Sequence, residues 1–266
     1  MGDTSGVPVF YFHGAPTSRL YLVPWEMEFA DRGLRVVSPD RPGYGGSSPQ
    51  PGRTMSDWPT DVVSLANALG IDRFIVAGES SGGPYAVACA ALLPDCVSGA
   101  VVVAGVTDMA WPEAWDGFFE PEKAIIRMPD EQSATARCEE LFGADGRGLL
   151  GSPGSELPEP DMAFFTDEKS AGAMLASFTE AFRQGVGGYA QDMLVQGRAW
   201  PFAPSAISAP VIVAHGELDT IMPVAHSRHT ADLIPGASLR ILPGHGHLTI
   251  SSELPGLCAE LIPSLG

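Results

Sequence analysis

The sequence predicts an α/β protein with a doubly wound, mostly parallel sheet and a helical insertion. Its short apolar runs lack polar alternation, which is typical of strands buried on both faces of a parallel sheet. These runs are residues 7–12, 35–38, 74–77, 99–104, 211–214 and 239–242. Helical patterns separate them, at 57–69, 81–93, 224–233 and 253–262. Such strand–helix alternation predicts helices on both faces of one sheet.

Residues 107–204, called the helical insert below, interrupt this alternation. Amphipathic helical patterns fill the segment near 131–142, 160–166, 168–184 and 187–198, with a Gly- and Pro-rich loop at 143–160. We interpret the insert as a helical cap on a core formed by residues 1–106 and 205–266. It has 17 acidic and 7 basic residues, so 7 − 17 gives −10 of the chain's formal charge of −17.

The acidic composition excludes several classes of partner. The 266 residues include 15 Lys and Arg against 32 Asp and Glu. Contacts to phosphate need Lys and Arg, so we expect neither a nucleic-acid partner nor an anionic membrane surface. A polyanionic substrate is disfavoured for the same reason. The acidic composition itself indicates only solubility. The motifs described below favour a small, ester-like molecule as the partner; monomer and dimer both stay open.

The expected location is the cytoplasm. No stretch approaches the ~18 apolar residues of a membrane span, and the first residues lack the basic flank and apolar run of a signal peptide. No Cys-x-x-Cys occurs among the four dispersed cysteines, which are expected to be reduced. No metal or cofactor is expected, since His226-x-x-His229 has no third ligand at matching spacing and is interpreted as a solvated helix face.

Ser80 is the predicted nucleophile. It lies in Gly78-Glu79-Ser80-Ser81-Gly82, directly after the run 74–77 and before a helical pattern. A Gly-x-Ser-x-Gly in this strand–turn–helix context holds the serine in a strained turn, with its hydroxyl exposed at a helix N-terminus. Glycines flank it because side chains there would collide with neighbouring backbone.

A serine hydroxyl needs a base that is itself oriented by an acid. His247 follows the last predicted strand by a short loop, and His245 stays open as a rival base. Asp219, which follows the run 211–214, is the favoured acid. The order serine, acid, histidine is expected when each residue lies at the carboxyl end of its own strand. Two other carboxylates compete with Asp219 for the role of the acid, Glu217 and Asp108.

Two backbone N–H groups are needed to stabilise a tetrahedral oxyanion. Ser81, the residue after the nucleophile, supplies one. The loop after the first strand, His13-Gly14-Ala15-Pro16, supplies the other. Pro16 has no N–H to donate, which leaves Ala15 as the candidate. His13 is expected to organise this loop rather than to act as a base.

Five motifs together resemble the α/β-hydrolase superfamily, across residues 6–106 and 205–264. They are Tyr11-Phe12-His13-Gly14-Ala15-Pro16, Asp40-Arg41-Pro42-Gly43-Tyr44-Gly45-Gly46-Ser47, Gly78-Glu79-Ser80-Ser81-Gly82, His215-Gly216-x-x-Asp219 and Gly246-His247. The resemblance implies a serine-nucleophile, esterase- or lipase-like member with a helical cap. It implies Ser80, Asp219 and His247 as the triad, with the oxyanion hole formed by Ala15 and Ser81.

The expected activity is that of a cofactor-free carboxylesterase, which cleaves small to medium neutral esters through an acyl-enzyme. Related haloalkane dehalogenases and epoxide hydrolases use Asp where this chain has Ser80, so they are disfavoured. Enzymes with the same triad stay open: a lactonase, an amidase or aminopeptidase, and a carbon–carbon bond hydrolase. A ligand-binding, receptor-like protein on a hydrolase scaffold is the alternative from another class.

The chain departs from the superfamily pattern in two places. The superfamily usually has two further strands before the first one here, and this chain has only Met1–Gly6 at that place. We therefore expect a sheet without those two strands and with an exposed edge. The second departure is Glu79, where His or another neutral residue is common. We interpret Glu79 as a solvated or hydrogen-bonded carboxylate.

Overall fold

A six-stranded sheet forms the centre of the molecule in the computed structural model, which describes residues 1–151 and 157–262. The strands are β1 Val7–Phe12, β2 Leu34–Val37, β3 Phe74–Glu79, β4 Val97–Val103, β5 Val211–Gly216 and β6 Ser238–Leu242. They lie in the order β2-β1-β3-β4-β5-β6, and every pair is parallel. The predicted fold class is confirmed. Part of the predicted loop 143–160 and the last four residues lie outside the described residues.

Every residue of β3, β4 and β5 is buried, which explains why these strands read as continuous apolar runs. Helices cover both faces of the sheet. In chain order the helices are α1 Glu26–Asp31, α2 Trp58–Leu69, α3 Gly83–Leu92, α4 Glu120–Ile126, α5 Glu131–Phe142, α6 Glu159–Thr166, α7 Glu168–Ala181, α8 Gly187–Gln196, α9 Val224–Leu233 and α10 Leu254–Ala259. None of the described helices is long and apolar enough to cross a bilayer.

Two apolar clusters lie on opposite faces of the sheet. Residues of α2, α3 and α9 pack on one face, and residues of α1 and α10 pack on the other. The sequence pattern predicted α2, α3, α9 and α10 but missed the short helices α1 and α4. Each of these two buries only one or two side chains, too few to produce a 3.6-residue apolar pattern.

Residues 1–3 partly cover the edge strand β2, so the expectation of a fully exposed edge is wrong at this place. Gly2 forms an antiparallel bridge with Arg35. The N–H of Val36 donates to the Met1 carbonyl at 2.9 Å, and the N–H of Asp3 donates to the Leu34 carbonyl at 2.9 Å. Residues 1–3 thus satisfy part of the edge that the usual preceding strands would cover.

Between β4 and β5 the described residues form five α-helices, α4 to α8, and no strand. These helices bury their own apolar cluster, which includes Phe142, Phe178 and Tyr189. The arrangement matches the amphipathic patterns expected for the helical insert. Its role as a cap, and the boundaries 107 and 204, stay predictions.

A buried ionic network joins the helical insert to the sheet. Asp192 of α8 is 0% exposed and pairs with Arg41 at 2.7 Å and Arg53 at 2.5 Å, both from the segment between β2 and α2. The hydroxyl of Tyr85 on α3 donates to the same carboxylate at 2.6 Å. Burial opposes ionisation of Asp192, but the two guanidinium groups outweigh it and hold its pKa below the ordinary value.

Replacing the Asp192 carboxylate with an amide should therefore weaken the attachment of the helical insert to the rest of the protein. We expect Asp192→Asn to lower the free energy of unfolding by about 3 kcal/mol, because it leaves two buried guanidinium groups without a counter-charge. Urea denaturation measures the change.

The matched control is Asp145→Asn, which removes an acid from an exposed ion pair with Arg147 in the same insert. Exposed pairs contribute at most about 1 kcal/mol. Equal destabilisation by the two variants would contradict the docking role of Asp192.

Candidate active site

Three parallel strands bring the predicted catalytic residues to one edge of the sheet. Ser80 directly follows β3, Asp219 lies three residues beyond β5, and His247 lies five residues beyond β6. Because these strands are parallel, their carboxyl ends meet at the same edge. Residues of three distant chain segments therefore lie at one edge of the sheet.

The turn at Ser80 has the strained backbone that the sequence predicts. Its φ of 52° lies in the left-handed region, which non-glycine residues rarely adopt. A Cβ added at Gly78 would collide with the Gly82 carbonyl oxygen, and one added at Gly82 would collide with the Phe12 carbonyl oxygen. The two glycines are thus required by the close approach of β1, β3 and α3.

His247 and Asp219 form a hydrogen-bonded pair. His247 Nδ1 donates to Asp219 Oδ2 at 2.8 Å, and Asp219 Oδ1 accepts from the N–H groups of Ile221 and Met222, both at 2.8 Å. Burial disfavours the imidazolium, but Asp219 outweighs this effect and raises the pKa of His247 to about 9. Because Nδ1 carries the donated proton, neutral His247 has Nε2 free to accept one.

The rival residues have other partners. Asp108 accepts hydrogen bonds from the N–H of Ala110 at 2.9 Å and of Trp200 at 3.2 Å, and so shapes the start and end of the helical insert. His245 Nδ1 faces the Thr249 carbonyl at 3.3 Å. The third rival, Glu217, is exposed. The geometry therefore favours Asp219 and His247 over them.

Ser80 lies at the same edge as this pair without bonding to it. Within residues 1–151 and 157–262, no hydrogen bond joins the Ser80 hydroxyl to His247. Catalytic hydrogen bonds are often long in unliganded enzymes and tighten when substrate binds. The structure thus brings Asp219 and His247 into contact and places Ser80 at the end of β3, on the same edge of the sheet.

The loop after β1 lies close to the turn at Ser80. A Cβ added at Gly14 would lie 3.4 Å from the Cβ of Ser80, so Gly14 and Ser80 are close neighbours. Ala15 and Ser81, the two candidates for the oxyanion hole, are the next residues after them in the chain. His13 holds the loop, because its Nδ1 donates to the Gly14 carbonyl at 2.7 Å and its Nε2 accepts from the Arg41 N–H at 3.2 Å. Burial, followed by Arg41, lowers the pKa of His13 to about 3, so His13 stays neutral.

Glu79 is buried and hydrogen-bonded rather than solvated. Its carboxylate accepts from the hydroxyls of Tyr11 at 3.1 Å, Tyr21 at 3.2 Å and Ser251 at 2.8 Å. Burial raises the pKa of Glu79 to about 7, while its hydrogen bonds and His247 oppose the rise. The residue before Ser80 is thus an acid that contributes to the electrostatic field at His247.

Two residues of the helical insert reach this region and were not predicted. The carboxylate of Asp161 on α6 accepts from the backbone N–H of His247 at 2.7 Å. Glu122 on α4 accepts from the Tyr189 hydroxyl at 2.8 Å, and burial raises its pKa to about 7 while His247 opposes the rise. No motif marks either residue. In an acidic helical segment, the sequence does not distinguish a buried carboxylate from one that is exposed to solvent.

The histidine pair on α9 is packed, so the expected solvated helix face is wrong for His226. Its side chain is 0% exposed, its Nδ1 accepts from the Thr107 N–H at 3.2 Å, and its ring stacks on Phe118 at 5.9 Å. His229 stacks on Trp111 at 4.1 Å. In the part of the chain that the structure describes, no group of His, Cys, Asp and Glu side chains is arranged to hold a metal ion.

The fold and this site define a family. The family model described as "alpha/beta hydrolase fold" matches residues 7–253. The chain therefore belongs to the α/β hydrolase fold family, as its five motifs indicate.

Relatives within the family have diverse names. A non-heme chloroperoxidase of Streptomyces lividans is 28% identical over 95% of this chain and 90% of its own length. A bifunctional esterase/perhydrolase of Acinetobacter calcoaceticus is 25% identical over 98% of this chain and 92% of its own length. Among solved structures, an α/β hydrolase fold protein from Nakamurella multipartita is 24% identical with a TM-score of 0.70, and the match covers 100% of this chain and 94% of that one.

The Asp219–His247 contact predicts which acid matters. We expect Asp219→Asn to lower kcat for an activated ester by about 10³- to 10⁴-fold, because an amide neither fixes the tautomer of His247 nor stabilises its cation. Steady-state kinetics of the folded variant measure the loss.

Asp108→Asn is the matched control, since it changes an acid at the neighbouring strand end that does not contact His247. It should keep most of the activity. A larger loss in Asp108→Asn than in Asp219→Asn would overturn the assignment.

Proposed function

We propose that the protein is a serine hydrolase that cleaves small to medium neutral carboxylic esters through an acyl-enzyme. The observation that carries the proposal is the Asp219–His247 hydrogen bond at the strand edge where Ser80 has its left-handed turn. This combination supplies a nucleophile, a base and an orienting acid. The esterase activity in the name of the Acinetobacter relative is consistent with it.

The proposed reaction begins with attack of Ser80 Oγ on the ester carbonyl carbon, while His247 Nε2 takes the hydroxyl proton. The N–H groups of Ala15 and Ser81 stabilise the resulting oxyanion. Collapse of this intermediate breaks the bond to the alcohol, which leaves with the proton from His247. Water then attacks the acyl-enzyme by the same route, releasing the carboxylic acid and restoring Ser80.

Asp219 contributes by stabilising the imidazolium that each half-reaction forms. The raised pKa of His247 reflects this stabilisation, because a higher pKa means that the site favours the imidazolium over the neutral imidazole. The same field keeps most of His247 protonated at neutral pH, so only a small fraction can accept the Ser80 proton and activity should rise as the pH increases towards 9.

The helical insert is proposed to act as a cap over this site. Two of its residues, Asp161 and Glu122, lie close enough to His247 to influence its ionisation. With Asp219 and Glu79, they surround the base with carboxyl groups. Such a field disfavours anionic substrates, which supports neutral esters as the substrate class.

Removing the Ser80 hydroxyl should abolish turnover. We expect Ser80→Ala to lower kcat for p-nitrophenyl butyrate by at least about 10⁴-fold, because no other group can form the acyl-enzyme. A fluorophosphonate probe should label the wild-type protein stoichiometrically and leave Ser80→Ala unlabelled, as mass spectrometry can verify.

The control is Ser64→Ala, which removes the hydroxyl of an exposed serine on α2. Labelling of Ser80→Ala at another residue would refute Ser80 as the nucleophile. A panel of esters, lactones, amides and peptides tests the bond type. Faster turnover of any other class than of esters would replace the esterase proposal, and no turnover of any would favour a binding protein.

The carboxyl groups around His247 predict charge selectivity. We expect the neutral diester of a dicarboxylic acid to be hydrolysed about 10-fold faster than its anionic half-ester, because close like charges in a low-dielectric site repel. The kcat/KM ratio of the two substrates measures the preference.

Glu122→Gln should narrow that ratio, whereas Glu139→Gln, which removes an exposed charge from the same insert, should not. Each variant replaces one glutamate of the insert with its amide, and of the two glutamates only Glu122 acts on His247. An unchanged ratio in Glu122→Gln would show that Glu122 does not face the substrate.

A further inference from the structure

The carboxylate of Asp161 forms four hydrogen bonds with the loop that holds the proposed base. The residue lies on α6 and is 0% exposed. Its carboxylate accepts from the backbone N–H groups of His247 at 2.7 Å, Leu248 at 3.1 Å and Thr249 at 3.0 Å. It also accepts from the Thr249 hydroxyl at 2.9 Å. Charge-assisted bonds of this kind are about twice as strong as neutral ones.

The loop is shaped to receive this carboxylate. A Cβ added at Gly246 would collide with the Asp161 carboxylate, so only glycine permits the approach. The Gly246 N–H in turn donates to the Thr249 hydroxyl at 2.9 Å. Residues 246–249 therefore wrap around one side chain of the helical insert.

His247 is thus held from two sides. The core holds its imidazole through Asp219, whose own position is set by the N–H groups of Ile221 and Met222. The insert holds its backbone through Asp161. The position of Nε2 depends on both, because two side-chain torsions connect the backbone to the ring.

We propose that Asp161 is a positioning residue that holds the backbone of His247 so that its imidazole faces Asp219 and Ser80. The geometry of the base thereby depends on the docked helical insert. This inference rests on the proposed function, in which His247 is the base.

A purely structural role for Asp161 makes different predictions. An anchor between the insert and the core would change the free energy of unfolding, yet kcat per folded molecule and the ionisation of His247 would stay as they are. A positioning residue changes both, since displacement of a base by about 1 Å costs up to about 100-fold in rate.

The second measurable effect, besides the change in kcat, is a shift in the pKa of His247 when the charge of Asp161 is removed. Asp161 is one of several groups whose charges act on His247, from the core and from the insert: Asp219, Glu79, Asp161, Glu122 and His215. A nearby negative charge favours the imidazolium, so removing it lowers the pKa of His247. The acid limb of the pH profile, which is the rise of kcat/KM as His247 loses its proton, should then move to lower pH.

The decisive comparison is between Asp161→Asn and Asp167→Asn in the full-length protein. Asp167 is an exposed carboxylate of the same insert that accepts the Ser170 N–H at 2.8 Å at the start of α7. Its loss also removes one charge and one backbone hydrogen bond, but away from His247. We expect Asp161→Asn to lower kcat about 10- to 100-fold with little change in KM, and to shift the acid limb. Asp167→Asn should do neither.

Thr249→Val is the second variant, because it keeps the Asp161 carboxylate and three of its four hydrogen bonds. It removes the bond from the Thr249 hydroxyl to Asp161 and the bond from the Gly246 N–H to that hydroxyl. It should lower kcat less than Asp161→Asn and leave the acid limb nearly in place. If Asp161→Asn does not fold, unchanged kcat in Thr249→Val overturns the proposal.

Labelling by the fluorophosphonate separates failure of this inference from failure of the proposed function. A wild-type protein that neither turns over esters nor reacts at Ser80 would refute the proposed function. A reactive wild type whose Asp161→Asn variant reacts at the same rate, with the same pH dependence, would refute only the positioning role. Slower labelling with a shifted pH dependence would support it.

Discussion

The attachment of the helical insert to the sheet depends on the buried carboxylate of Asp192. Its two partners, Arg41 and Arg53, bring positive charge into an environment where an unpaired ion is very costly. The insert can therefore dock in the one orientation that pairs all three groups. Arg41 also donates to the His13 carbonyl oxygen. The docking of the insert and the shape of the loop after β1 thus share a side chain.

The helical insert is connected to two different loops of the candidate site. Through Arg41 it supports the loop that contains Ala15, and through Asp161 it contacts the loop that contains His247. Helix α6 contacts the backbone of His247 directly, and α8 supports the Ala15 loop through Arg41. Movement of the insert is therefore expected to disturb both sides of the candidate site.

Most of the fold could be predicted from the sequence because buried parallel strands produce apolar runs that need no partner to be recognised. The places of Ser80, Asp219 and His247 at the carboxyl ends of their strands could be predicted as well, since strand ends and glycines mark them. The proximity of Asp161 and Glu122 to His247 could not, because it joins segments about 90 and 125 residues apart in the chain. For the same reason, nothing in the spacing of His226 indicated that Phe118 and Thr107 would enclose it.

The left-handed turn at Ser80 sets stability against function at a single residue. A serine at this φ costs roughly 1–2 kcal/mol relative to a glycine, which adopts the same conformation without strain. Selection for stability alone would favour glycine at position 80 and would remove the hydroxyl. Under the proposed function, the serine at this position keeps one oxygen atom in place at the cost of part of the chain's marginal stability.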